Sequence, residues 1–196
     1  MKTKRTYTMV ARADAVEATR LRILDSLFRL ARTRMFPEIP LDDVAAEAEV
    51  SVQTILRQFG SRAELIEATM DYAIERVRLD RDAPAGDVDA AMRALLDHYE
   101  DRGKTALIML AQETSHPQVE RITEMGRHMH REWVESVFAP FAPDAATTDL
   151  LVVATDVYTW KLLRRDRRLS RRATETRMKL LVRAVLDADH SKQGSA

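Results

Sequence analysis

The sequence predicts an all-α protein of about nine helices. Three observations carry this. Ala, Leu, Arg and Glu dominate the 196 residues, glycine is scarce, and long β-branched runs are absent. Apolar residues recur at helical spacing through most of the chain. Prolines and glycines stand where those stretches stop. The length suits one or two small domains with a proper core.

A first helix is expected from about Ala13 to Met35, where Val16, Ile23, Leu24, Leu27, Phe28, Leu30 and Ala31 recur at helical spacing. Pro37 and Pro40 bracket a loop, and Asp42 and Asp43 favour the positive end of the next helix. The block Leu41–Phe59, LDDVAAEAEVSVQTILRQF, reads as two short helices joined by a tight turn. Leu41, Val44, Ala45 and Ala48 mark the inner face of the first, and Ile55 and Phe59 that of the second. Ser51 is a good N-cap, because its hydroxyl can accept an orphan amide proton. With Val50, Ile55 and Phe59 turned inward, Gln53, Thr54, Arg57 and Gln58 are left to solvent. Amide and guanidinium groups are those that pair with base edges and phosphates, so Ser51–Gln58 is the expected recognition helix of a helix-turn-helix.

Gly60 suits the position just past a helix end, and Ser61-Arg62-Ala63-Glu64 is a capping box opening a fourth helix to about Leu79. This helix leads away from the DNA-binding head. Ala83-Pro84-Ala85-Gly86 is a turn, and Asp87 can cap a fifth helix to about Asp101. Gly103 is expected to break the chain before a short sixth helix, Thr105–Glu113. A seventh runs from Pro117 to about Phe138, an eighth over about Ala145–Arg165, and a ninth over about Arg171–Asp189 with Ser170 as N-cap. The polar tail from His190 is expected to fray. The expected domains are 1–60, a three-helix head with an N-terminal arm, 61–190, a helical ligand-binding and dimerisation domain, and a tail, 191–196.

Net charge is formally zero, which argues against a protein that coats nucleic acid indiscriminately. The charge is unevenly placed. Residues 1–22 hold six bases (Lys2, Lys4, Arg5, Arg12, Arg20, Arg22) against two acids, and residues 161–172 hold seven against one. The first cluster is either a set of phosphate contacts or a solvated arm. The second reads as a basic helix end and loop. There is no cysteine, which excludes disulfides and Cys-ligated zinc and fits a reducing cytoplasm. No apolar signal segment follows the N-terminal bases, and no apolar run is long enough to span a bilayer.

The run around Ile23–Phe28, the block Leu41–Phe59 and the closing Gly-Ser-Arg-Ala-Glu-Leu resemble, in order and spacing, the TetR family of transcriptional regulators. Helix order extends the resemblance over nearly the whole chain, and Asp156–Asp166 resembles the eighth helix of some actinobacterial-type members. The resemblance implies a cytoplasmic homodimeric DNA-binding protein, usually a repressor, released from its operator by a small molecule. By position it implies that Ser51, Gln53, Thr54 and Arg57 face DNA, with Arg20 and Arg62 near phosphates, and Leu56 and Gln58 complete the candidate DNA-binding set. The sequence departs from the family in four places. Glu49 replaces the turn glycine, Leu56 a common tyrosine, Gln58 a histidine, and Pro40 a capping threonine. The expected backbone contacts then shift toward Arg57, Arg62 and the N-terminal arm.

In the second domain Leu95, Tyr99, Met109, Met125, Met129 and Trp133 fall on apolar helix faces, with His98, Gln112 and Glu113 as the polar groups placed to orient a ligand. They read either as a pocket for an apolar or aromatic effector or as core. Leu150, Leu151, Val153, Ala154, Val157 and Trp160, with Leu180, Leu181, Ala184, Val185 and Ala188, are either a four-helix dimer interface or are covered within one subunit. His128 and His130 stand two apart and cannot share a metal from one helix, while His98 and His116 would join them only by chance of folding. No phosphate loop, Ser-His-Asp arrangement or HExxH is present. We therefore expect no metal, no cofactor and no enzyme. The alternative is a helical small-molecule-binding protein that has lost specific operator binding.

Overall fold

The computed structural model describes residues 3–115 and 117–193, with side chains for 14–36, 38–115, 117 and 119–189. Lys2, His116 and the side chains of Lys4, Arg5 and Arg12, invoked above, lie outside the described set. The chain divides into two units, Met1–Glu75 and Arg76–Ala196.

The first unit holds α1 (Thr3–Leu30), a 3-10 turn (Phe36–Glu38), α2 (Leu41–Glu47), α3 (Val52–Phe59) and the greater part of α4 (Arg62–Asp80). The first helix differs from expectation at both ends. It already includes Thr3, the first described residue, since no glycine or proline stands before Pro37 to interrupt it. It ends at Leu30, where Arg32 and Thr33 tighten onto the carbonyls of Arg29 and Leu30. Ile23, Leu24 and Leu27 of α1 close on Val44 and Ala45 of α2, Ile55 and Phe59 of α3, and Leu65 and Ile66 of α4. Val16, although on the periodic pattern, is exposed.

The turn between α2 and α3 is a Schellman motif. Val50 N–H donates to the Ala45 carbonyl at 2.9 Å and Glu49 N–H to that of Ala46 at 3.3 Å. This requires a left-handed residue, and Glu49 supplies it with φ +55°. Arg22 Nε adds a bond to the Ala48 carbonyl at 3.2 Å. Ser51 then caps α3, its Oγ accepting from Thr54 N–H at 3.1 Å. Gly60 ends α3 at φ +82°, and Ser61 Oγ accepts from Glu64 N–H at 3.2 Å to open α4.

The second unit holds α5 (Val88–Gln112), a 3-10 turn (Glu113–Ser115), α6 (Pro117–Phe138), a 3-10 turn (Ala139–Phe141), α7 (Ala145–Thr155), α8 (Val157–Lys161) and α9 (Arg171–Gln193). Its core joins Leu95, Leu96 and Tyr99 of α5 to Val134 and Phe138 of α6, Leu151 of α7, Trp160 of α8, and Met178 and Val182 of α9.

Three expectations fail here. Gly103 does not break the chain, and the fifth and sixth expected helices are one. Its missing side chain instead admits the Trp160 ring, since a Cβ there would lie 2.6 Å from Trp160 Cζ3. The expected eighth helix is interrupted at Asp156, which is extended (ψ 153°) and caps α8 by accepting from Tyr158 N–H at 2.7 Å. A π-helical turn, Leu162–Asp166, follows α8. The last helix continues past His190 to Gln193. Among the described residues no helix is long and apolar enough to cross a membrane.

Candidate nucleic-acid interface

The reading helix is fixed from beneath. Ile55 and Phe59, one turn apart, are buried against α1 and α2, so the opposite face of α3 is turned outward. Ser51, Gln53 and Arg57 are exposed, while Thr54, Leu56 and Gln58 are half-buried. Ser51 and Thr54 bond each other through their hydroxyls at 3.0 Å. Gln58 turns toward α1, with Nε2 3.5 Å from the Val16 carbonyl. Among the described residues neither Gln53 nor Arg57 has a hydrogen bond or ion pair.

The flanking bases behave differently. Arg20 lies across the end of α3, its guanidinium carbon 4.4 Å from the Phe59 ring centroid. Arg62 is exposed, and its Nη2 donates to the Ile39 carbonyl at 2.9 Å and more weakly to that of Phe36 at 3.4 Å. It therefore clamps the loop that enters α2. Arg29 pairs with Asp25 and Glu47, and Arg34 with Asp43. These pairs neutralise positive charge around the head and leave Arg57 as an open guanidinium on the reading face.

The nine residues proposed from sequence as ligand contacts do not form one set. Leu95, Tyr99 and Trp133 belong to or border the core of the second unit. Met109, Gln112, Met125 and Met129 are half-buried on α5 and α6. Glu113 is engaged elsewhere, its Oε2 accepting from Arg127 at 2.6 Å and Thr123 at 2.7 Å. Those two bonds hold its carboxyl below the ordinary range. His98 is largely buried, and its Nδ1 has no partner among the described residues. His128 faces Glu132 at the surface while His130 turns inward. Among the described residues no three metal-ligating side chains converge.

Sequence reasoning missed a buried polar group around His130. Arg81, Tyr99 and Thr155 join it. Arg81 stands in the charged run Arg76–Asp82, which gives no hint of burial. The distal basic segment is largely partnered. Lys161 bonds Asp166, Arg164 bonds Glu100, Arg171 bonds Asp97 and Glu175, and Arg165 lies over the Trp160 ring.

Residues 23–69, which span the end of α1 through the start of α4, match the family profile described as bacterial regulatory proteins, tetR family. This segment of the N-terminal unit is similar to the TetR-family domain. No curated protein matches the chain. Solved TetR-family structures share the fold over most of the length. A TetR-family transcriptional regulator from Streptomyces coelicolor is 19% identical, covers 88% of this chain and 90% of its own, and gives a TM-score of 0.64. A second from the same organism is 23% identical, with 87% and 95% covered and a TM-score of 0.65. A TetR transcription regulator from Haloarcula marismortui is 20% identical, with 88% and 98% covered and a TM-score of 0.57. The all-α TetR architecture, a helix-turn-helix head followed by a helical domain, thus accounts for both units.

Proposed function

We propose that this protein is a ligand-responsive, sequence-specific transcriptional regulator that binds a palindromic operator as a homodimer and represses transcription in the cytoplasm. It is not an enzyme, and its effector is a small apolar or aromatic molecule. Residues 1–60 form the DNA-binding head, and residues 61–190 bind the effector and dimerise.

The observation that carries this reading is the state of α3. Gln53 and Arg57 are exposed and uncommitted on a helix whose other face is anchored by Ile55 and Phe59, inside the segment that matches the TetR-family profile. In this reading Gln53 and Arg57 contact base edges, Ser51 and Thr54 contact the backbone beside them, and Arg20 and Arg62 lie near phosphates. The dimer is supported by exposed apolar side chains on the last helices. Leu150 and Val153 of α7, Tyr158 of α8, and Leu180 and Leu181 of α9 are each 45–66% exposed.

The test is selection of duplexes from a random library at physiological salt. An enriched near-palindrome with half-sites about 34 Å apart is expected. Arg57→Ala should lose about 1–3 kcal/mol on the best site and relax specificity at one position. No enrichment by a folded dimer would overturn the regulator and favour a ligand-binding protein without an operator.

A further inference from the structure

Arg81 follows the last residue of α4, and only 5% of it is exposed. One Nη lies 2.6 Å from Nδ1 of His130, and the guanidinium carbon lies 4.7 Å from the Trp133 ring centroid. Trp133 Nε1 donates to the carbonyl of Arg81 itself at 2.8 Å, which fixes the residue in place. Arg81 Nε has no partner. Among the described residues no carboxylate lies within ion-pair distance of this guanidinium.

The side chains that bond or stack on it, His130 and Trp133, are neutral. Because the guanidinium can only donate, His130 accepts at Nδ1 and carries its proton on Nε2. That proton goes to Thr155 Oγ1 at 3.1 Å or to the Val152 carbonyl at 3.3 Å. Thr155 Oγ1 passes its own to the Leu151 carbonyl at 2.7 Å, and Tyr99 OH donates to the Thr155 carbonyl at 2.9 Å. Burial first, and the Arg81 charge second, hold the imidazoles of His98 and His130 down at about 3, so neither adds a charge at neutral pH. The acid in the neighbourhood is Asp156, which attracts Arg81 without bonding it and spends an oxygen on the cap of α8. Every chain of bonds in the cluster ends on a backbone carbonyl. A buried positive charge with two orphan nitrogens beside it, Arg81 Nε and His98 Nδ1, is therefore left without a contacting anion.

An apolar surface adjoins this charge. On α6, Ile122, Met125 and Met129 run along the helix toward His130 and Trp133, and all three are half-buried. Gly126, one turn before His130, has nothing within 4 Å of where a Cβ would stand. On α5, which packs against α6, Leu107 and Leu110 are half-buried too.

We propose that Arg81 receives the head group of the effector, which is an apolar carboxylic acid lying along the Ile122–Met125–Met129 stripe. The inference rests on the reading of the chain as an effector-responsive regulator and narrows the effector to one chemical class. The carboxylate would take the Nε–Nη edge of the guanidinium in a two-point bond, the geometry for which arginine is suited.

The probes are octanoate, decanoate, benzoate and 1-naphthoate, each beside its methyl ester, titrated into the full chain without DNA. Binding is read by intrinsic fluorescence, since Trp133 stacks on Arg81. At least one acid is expected to bind saturably and at least about tenfold more tightly than its ester, and Arg81→Gln should erase that preference while leaving the ester unmoved. If Arg81→Gln does not fold, Arg81→Lys replaces it. A compact ammonium cannot make the two-point bond, so acid affinity should fall by about tenfold with the ester unchanged. No preference for any acid in the native protein overturns the proposal, as does a preference that survives Arg81→Gln or an acid affinity untouched by Arg81→Lys. An acid that binds through Arg81 but leaves the selected operator bound would overturn its assignment as the effector, while an absence of any selected operator would overturn the regulator reading and leave the carboxylate site standing.

Discussion

Acidification from pH 7 to pH 5 should destabilise the second unit by a predictable amount, because it buries two histidines as neutral groups. Burial, reinforced by Arg81, lowers His98 and His130 from 6.5 to about 3. In the unfolded chain both return to about 6.5. The unfolded state therefore takes up protons that the folded state refuses, so stability is full above 6.5 and is lost as pH falls toward 3. For one histidine the loss is about 0.2 kcal/mol at pH 7 and about 2 kcal/mol at pH 5. Two histidines give about 4 kcal/mol across the window, which lowers the melting temperature by about 15 °C for a unit of this size. The acids Asp89, held low by Lys179, and Glu113, held low by Arg127 and Thr123, contribute stability that is lost only below their unfolded values near 4, outside the window. Asp156 acts in the opposite sense, since burial raises it and its protonation favours the folded state at low pH. Asp156→Asn removes that offset and keeps a capping side chain. The assay is urea unfolding followed by tryptophan fluorescence at constant ionic strength. Both tryptophans, Trp133 and Trp160, belong to the second unit, so the signal reports it alone. His130→Gln retains an acceptor for Arg81 and should halve the pH dependence. Stability that is flat from pH 7 to pH 5 in both the native protein and Asp156→Asn would refute the burial of these imidazoles.

Other substitutions test the packing and the turns. Gly103→Ala should cost about 1–3 kcal/mol in the same urea assay, because the new methyl meets the fully buried Trp160 ring at 2.6 Å. Glu49→Gly should stabilise the first unit by up to about 1 kcal/mol by relieving a side chain at φ +55°, read as slower amide exchange at Ile55 and Phe59. Ser51→Ala should cost about 1 kcal/mol by the same measure, since it strips the acceptor from the Thr54 amide.

The head was legible because its determinants are local. Ser51 caps the helix that begins at Val52, Gly60 ends it, and Ser61 opens the next within a few residues. Ile55 and Phe59 are spaced to share a face whatever they pack against. Even the departure at Glu49 is readable, since a Schellman turn needs a left-handed residue there and the alternative is to lose the turn. The second unit was read less well because its decisive partners are far apart in sequence. A glycine in a helix costs only about 1 kcal/mol, so local preference could not decide whether Gly103 breaks α5. The Trp160 ring, lodged where a Cβ would be, decides it. Asp156 is a good N-cap, but nothing beside it in the sequence says that the preceding helix must stop at Thr155. That residue's carbonyl is instead taken by Tyr99 OH, and its hydroxyl by the Leu151 carbonyl.

Arg81 is the extreme case. Among Arg76, Arg78, Asp80 and Asp82 it reads as one more solvated charge, yet it is enclosed by Trp133 and His130 from α6. Replacing it with a leucine or methionine would satisfy an apolar interior at lower cost than a cation without a contacting anion. A chain selected only for stability has no reason to keep the charge there, whereas a chain that must recognise an acid inside its helical domain does. On the carboxylate proposal, the burial of Arg81 serves recognition in addition to the contacts it makes with His130 and Trp133.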